Sequence, residues 1–236
     1  MTRKPKPIKS ELAWSTPDRI VVRGKDLPNE ILGHLNLGDM AFLVILGRVP
    51  NEKESKLFNA IAVTLVEHGV TPSAIAARMT YLGAPESPQA AVAAGLLGLG
   101  SVFVGSTEGV ARMLSENQDI EKMKRVPGLG HPIHKPVDPR TKRLFEIARE
   151  TGFYGKYCKR MEEIGKERNL VVNATGAIGA IACELGIDWR AVRGIGVMAR
   201  AIGLVGHILE ESKSPMALEL WERAEDEASA HLRPKK

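Results

Sequence analysis

The sequence predicts an all-α fold, a multi-helix domain preceded by a short extended segment, and three observations predict it. Aromatic residues make up 5% of a chain that is 44% hydrophobic, so the core is built from Ala, Leu, Ile, Val and Gly. Such a core suits closely packed helices better than sheets. Apolar residues also recur at helical spacing in one segment after another. The one short β-branched run that reads as extended is Ile20-Val21-Val22, just before Gly24. A length of 236 residues suffices for one large helical domain, or a large one with a small one attached.

The elements follow in order. Residues 1–18 are polar, carry Pro5, Pro7 and Pro17, and belong on the surface. With the extended run they form an N-terminal arm over residues 1–38. The helical domain takes 39–236, with a smaller subdomain at about 118–190. Helical character begins at Asp39, and the apolar run 40–46 ends at Gly47 and Pro50. Residues 52–67 place Leu57, Phe58, Ile61 and Leu65 on one face with charges opposite. Gly69 and Pro72 break that helix, and 73–81 forms the next. Pro85 and Pro88 mark a turn before a buried, Ala-rich helix at 89–98, and 107–117 is amphipathic. Residues 126–137 are a loop. Asp138 then reads as an N-cap, with Pro139 in the first helical position. Helices follow at 161–167 and across the small-residue stretch 169–185. The last long helix runs over 191–211.

Composition narrows the function classes. Two cysteines, Cys158 and Cys183, offer neither a disulfide framework nor a CxxC metal pair, and both read as buried small apolar residues. No metal site or covalently bound cofactor is expected. No segment reads as a signal peptide, and the apolar run 90–105 is too short to span a bilayer, so the expectation is a cytoplasmic protein without a membrane partner. The net charge is +5. Part of it lies in the tails, but Lys122, Lys124, Arg125, Lys135, Arg140, Lys142 and Arg143 cluster around the glycine-rich loop. That arrangement points to an anionic ligand. A nucleic acid is the rival partner, and neither a helix-turn-helix nor an aromatic ladder for base stacking supports it.

The loop holds the chemistry. Gly128 and Gly130 expose backbone N–H groups and permit close ligand approach, while Pro127, Pro132 and Pro136 stiffen the segment. His131 can exchange protons near neutral pH. Arg140, in the first turn of a helix, can grip a carboxylate in bidentate fashion. By residue type alone, His131 and His134 can also be structural loop histidines. His68 can be a helix-terminal histidine, and Arg140 and Arg200 can be halves of salt bridges. Gly128-x-Gly130 is not a dinucleotide fingerprint, because no strand precedes it and the third glycine is missing.

The stretch 126–140 resembles the citrate synthase motif P-G-x-G-H-x-x-x-K/R-x-x-D-P-R, with eight fixed positions in place. Leu46-Gly47-Arg48-Val49-Pro50 with Glu52, Glu67-His68-Gly69 with Ser73 and Arg78, and the segment from Gly196 to His207 around Arg200 resemble further motifs of that family. The likeness spans 39–210, and the length resembles the citryl-CoA lyase module, such as the C-terminal module of ATP-citrate lyase. The resemblance implies that His131 acts on the carbonyl or hydroxyl oxygen of the substrate. It implies that His68, Arg78, Arg140 and Arg200 bind its carboxylates, and that Pro127, Gly128, Leu129, Gly130, Lys135, Lys166 and Asn169 meet coenzyme A. It further implies an acyl-CoA and a di- or tricarboxylate as small-molecule partners, and a homo-oligomer. Two positions depart from the pattern. Phe103 stands where a family histidine polarises the thioester carbonyl, and Thr175 stands where a family aspartate moves the proton. Lys213-Ser214-Pro215 is a weak substitute for the family's Arg-Pro element. Three functions are thereby framed. The first is a lyase of citryl-CoA or a related thioester, or a synthase-type acyltransferase on another substrate. The second is a non-catalytic acyl-CoA-binding homologue. The third is a basic helical interaction protein.

Overall fold

The computed structural model describes residues 7–131 and 135–233. Three short strands, β1 (Ala13–Ser15), β2 (Ile20–Val22) and β3 (Lys25–Asp26), form an antiparallel ribbon in that order. Trp14 lies opposite Val21, the buried residue of the ribbon. Arg23 fastens the ribbon to the helical body by donating to the Val44 carbonyl at 2.8 and 3.1 Å. A single π-helical turn, Leu27–Ile31, follows.

The body comprises ten α-helices among the described residues: α1 (Leu37–Leu46), α2 (Glu52–Val66), α3 (Pro72–Gly83), α4 (Pro88–Leu97), α5 (Gly105–Ser115), α6 (Pro139–Thr151), α7 (Lys156–Glu167), α8 (Ala174–Glu184), α9 (Trp189–Lys213) and α10 (Ala217–Ser229). Their ends are set by local chemistry. α1 starts before Asp39 because the Asn36 side chain caps it by accepting from the Asp39 N–H. α2 opens on a capping box between Asn51 and Glu54, and α1 closes on Gly47 at φ 76°.

α8 forms the centre. Residues 176–183 are all buried, while Thr175 in its first turn is only half-buried. Helices α5, α6, α7 and α9 pack around it, and α3 with α4 lies on α9. Small residues make this possible: a Cβ at Gly179 would stand 2.6 Å from Val110 of α5. Across the domain, Phe42 and Phe58 meet edge to face at 5.4 Å between ring centroids and lock α1 to α2.

Three sequence expectations are corrected. The helix expected at 161–167 begins at Lys156. Residues 169–173 are not helical. Asn169 adopts φ 50° after the end of α7, and Asn173 caps α8 by accepting from the Thr175 and Gly176 N–H groups. The extended chain between them is free to pair with the loop. The helix at 191–211 is not the last, because α10 follows. Its charge-rich sequence still repeats apolar residues at helical spacing, but only Ala217 is buried, so the helix lies on the surface. α9 alone among the described residues is long and apolar enough to cross a membrane, yet half of its most apolar window is buried in the domain. It reads as a core helix.

Candidate active site

The loop is clipped to the segment before α8. The Gly130 N–H donates to the Val171 carbonyl at 2.7 Å, and the Asn173 N–H to the Gly128 carbonyl at 3.0 Å. The Asn173 side chain donates to the Gly130 carbonyl at 2.7 Å. Gly128 has φ 80°, and a Cβ there would lie 2.6 Å from the Cα of Gly176. Both conformation and space demand glycine.

His131, which this clip holds at the mouth of the loop, meets Arg140 across a 3.2 Å contact from Nη2 to Nε2. Arginine only donates, so Nε2 of a neutral His131 accepts and the ring proton sits on Nδ1. Asp138 fixes Arg140: its two carboxylate oxygens accept from Nε at 3.1 Å and Nη2 at 2.8 Å. The same fully buried carboxylate accepts from the Arg140 and Ala174 N–H groups, capping α6 and tying it to α8. Burial pushes the Asp138 carboxyl up, but Arg140 and the two amides outweigh it and hold it below the usual range. Arg140 Nη1 has no protein partner among the described residues and is available to a ligand.

A cavity of about 380 Å³ brings the expected groups together: His68, Phe103, His131, Arg140, Thr175 and Arg200 all line it. Arg200 is 6% exposed, and its Nε and Nη1 make no hydrogen bond. Its one carboxylate neighbour is Glu67, 3.8 Å away. Burial lowers the Arg200 pKa more than Glu67 raises it. A buried guanidinium with unspent N–H groups facing a cavity is a ready anion site. No carboxylate lines this cavity among the described residues. Glu108 is paired with Arg193 at 3.0 Å instead.

Two further cavities adjoin it, and Gly130 lines all three. One, of about 340 Å³, runs along Pro127, Gly128 and Leu129 and also reaches Thr175. The other, of about 910 Å³, is lined by His131, Lys135, Lys166 and Asn169. The basic cluster around the loop is partly neutralised: Lys122 pairs with Asp119, and Arg143 with Glu146 and Glu150. Lys135 faces the large cavity and Arg125 the other two. His134 lies outside the described residues.

Arg78 is a correction. It is fully buried and lines none of these cavities. Its Nη1 donates to Glu211 at 2.7 Å, its Nε and Nη2 to His207 Nδ1 at 3.2 and 2.9 Å, and Nη2 also bonds Glu210. His207 Nε2 in turn lies 3.1 Å from Glu67, although without hydrogen-bond geometry. The motif supplied an arginine at this position, but the turn of α3 points it into the α9 interface. Its bonds tie α3 to α9 in the wall behind Arg200.

Sequence reasoning gave no role to Ser73 or to the Asn173 clip. Asn173 could have been found as a residue with an N-cap's chemistry ahead of a small-residue helix. Ser73 stands in a motif that resembles the family's, but only the fold shows it to be buried and unpartnered.

The citrate synthase C-terminal domain family matches residues 28–221. The chain is 29% identical over 212 residues to the citrate synthase of Haloferax volcanii, covering 80% of this chain and 55% of that protein. It is 28% identical over 222 residues to ATP-citrate synthase beta chain protein 1 of Oryza sativa subsp. japonica, covering 79% of this chain and 36% of that protein. The chain therefore spans about half or less of these curated relatives. The citryl-CoA lyase of Hydrogenobacter thermophilus superposes with a TM-score of 0.82 at 36% identity, covering 89% of this chain and 88% of the other. An ATP citrate lyase of Methanosaeta concilii in complex with (3S)-citryl-CoA gives a TM-score of 0.73 at 23% identity, over 89% and 40%, a likeness of fold.

Proposed function

The chain belongs to the citrate synthase family, and from that premise we propose that it is a carbon–carbon lyase. Its substrate is citryl-CoA or a related 3-hydroxy-3-carboxyacyl-CoA, cleaved to an acyl-CoA and a 2-oxo acid such as oxaloacetate. The observation that carries the reading is the convergence of His131, Arg140 and Arg200 on one cavity of about 380 Å³. Similarity over nearly the whole of a citryl-CoA lyase supports cleavage over condensation.

Arg140 Nη1 and the unspent Nε and Nη1 of Arg200 take the carboxylates of the substrate. A carboxylate arriving at Arg140 competes for the N–H that His131 Nε2 accepts, and so frees that lone pair. His131 then removes the proton of the tertiary hydroxyl. The hydroxyl carbon becomes a carbonyl, the adjoining C–C bond breaks, and its electron pair passes to the acyl-CoA fragment as an enolate. A water relays the proton from the His131 imidazolium to the enolate carbon, which restores the neutral ring, because Thr175 has no group that titrates near neutral pH. The cavity of about 910 Å³ beside Lys135 and Lys166 receives the coenzyme A moiety.

The test is incubation with citryl-CoA and a panel of 3-hydroxyacyl-CoA thioesters while free 2-oxo acid is followed. The wild type releases it, and His131→Ala slows release by roughly 10²–10⁴-fold. Absence of 2-oxo acid from every thioester would sink the reading. That no carboxylate lines the cavity among the described residues favours one alternative, a homologue that binds acyl-CoA without turning it over. It predicts coenzyme A binding without cleavage, and activity created by Thr175→Asp.

A further inference from the structure

Cleavage leaves charge on the thioester oxygen of the acyl-CoA fragment, and nothing named so far answers it. Phe103 has no donor. Hydroxyls line the central cavity at Thr64, Thr71, Ser73, Ser106 and Thr175. Three have spent their proton: Thr64 on the Ala60 carbonyl at 2.8 Å, Ser106 on the Phe103 carbonyl at 2.7 Å, and Thr175 on Asn173 Oδ1 at 2.7 Å. Thr71 is the half-buried N-cap of α3, and its oxygen accepts from the Ala74 N–H. Ser73 differs from all of them. It is 2% exposed, and its hydroxyl makes no hydrogen bond.

The setting favours negative charge. Ser73 sits in the first turn of α3, a helix of 12 residues, where N–H groups lack intrahelical partners and the macrodipole is positive. Its backbone is held by close approach of α4: a Cβ at Gly95 would stand 2.9 Å from the Ser73 carbonyl oxygen, and one at Gly98 3.3 Å from its Cα. A fixed donor in a buried site needs no reorganisation when charge appears.

We propose that Ser73 is a catalytic residue that donates its hydroxyl proton in a hydrogen bond to the thioester oxygen as the enolate forms. The bond strengthens as the C–C electron pair arrives, and no proton is transferred. The assignment rests on the acyl-CoA lyase reading above for its reaction, but its geometry can be tested by binding alone.

The experiment compares the full-length wild type with Ser73→Ala in three measurements. These are turnover of citryl-CoA, affinity for coenzyme A, and affinity for carboxymethyl-CoA, whose carboxylate mimics the enolate charge. The expected result is a fall in kcat of roughly 10²-fold, at least a tenfold loss of carboxymethyl-CoA affinity, and unchanged coenzyme A affinity. Because the variant deletes a hydroxyl without a partner, its thermal midpoint should stay level or rise. Unchanged carboxymethyl-CoA affinity overturns the proposal, whatever happens to turnover. Loss of coenzyme A affinity alongside it also does, since Ser73 would then be structural. If the wild type releases no 2-oxo acid while the variant still loses carboxymethyl-CoA alone, the lyase reading fails and Ser73 stands as the oxygen ligand.

Discussion

Asp138 does more than cap a helix. One buried carboxylate joins α6 to α8 and sets the plane of Arg140, and therefore of His131. Replacing it by Asn leaves the half-buried guanidinium without its counter-charge and should cost about 1–3 kcal/mol. Urea unfolding of Asp138→Asn at pH 7 checks it. The pH dependence follows from the lowered carboxyl. The unfolded group titrates near about 3.9 and the folded group below that. The stabilisation is therefore fully present above about pH 4 to 5 and is lost as pH falls through the folded value. Glu54, Glu67 and Glu211 are lowered too, so the acid loss of stability in Asp138→Asn should be shallower than in the wild type without vanishing. Gly128→Ala meets both a positive φ and a 2.6 Å contact. It should destabilise by more than about 1 kcal/mol and weaken coenzyme A binding, measured by titration calorimetry.

At the scale of elements, the sequence was legible where local chemistry sets the ends. Asp138 with Pro139, and Gly47, bound helices as their residue types require. It was opaque where tertiary contacts decide. The extended segment before α8 owes its shape to pairing with the loop, and α10 owes its start to Glu211, which accepts from the Met216 and Ala217 N–H groups. Glu211 also holds Arg78, so one buried carboxylate binds α3, α9 and α10 together. Arg78→Ala would strand it. The expected loss is about 3–5 kcal/mol, seen as a lower thermal midpoint and a lower urea midpoint. A variant that unfolds like the wild type but has a raised KM would return Arg78 to the substrate.

For the whole molecule, the site was half legible. His131 and Arg140 sit nine residues apart across one N-cap, so their meeting is nearly local. His68, Phe103, Thr175 and Arg200 come from four separate segments, and only a resemblance of motifs could assemble them before the fold did. Residue type also misled, as Arg78 shows: a motif names a side chain but not its tertiary partners. The fold keeps Arg200 in a state that disfavours the empty protein, buried with Nε and Nη1 unspent. Stability and ligand binding should therefore separate there. Arg200→Met fills similar space without charge, and Glu67 keeps its backbone donors at His68 and Gly69. The ligand-free variant should unfold at the wild-type temperature or above it. Citrate with coenzyme A at 100 times its dissociation constant stabilises the wild type by about 2.7 kcal/mol, a shift of roughly 5–10 °C for a chain of this size. Differential scanning fluorimetry should show that shift in the wild type and not in Arg200→Met. A variant that melts lower yet still responds to citrate would make Arg200 part of the scaffold and leave the anion to Arg140 alone.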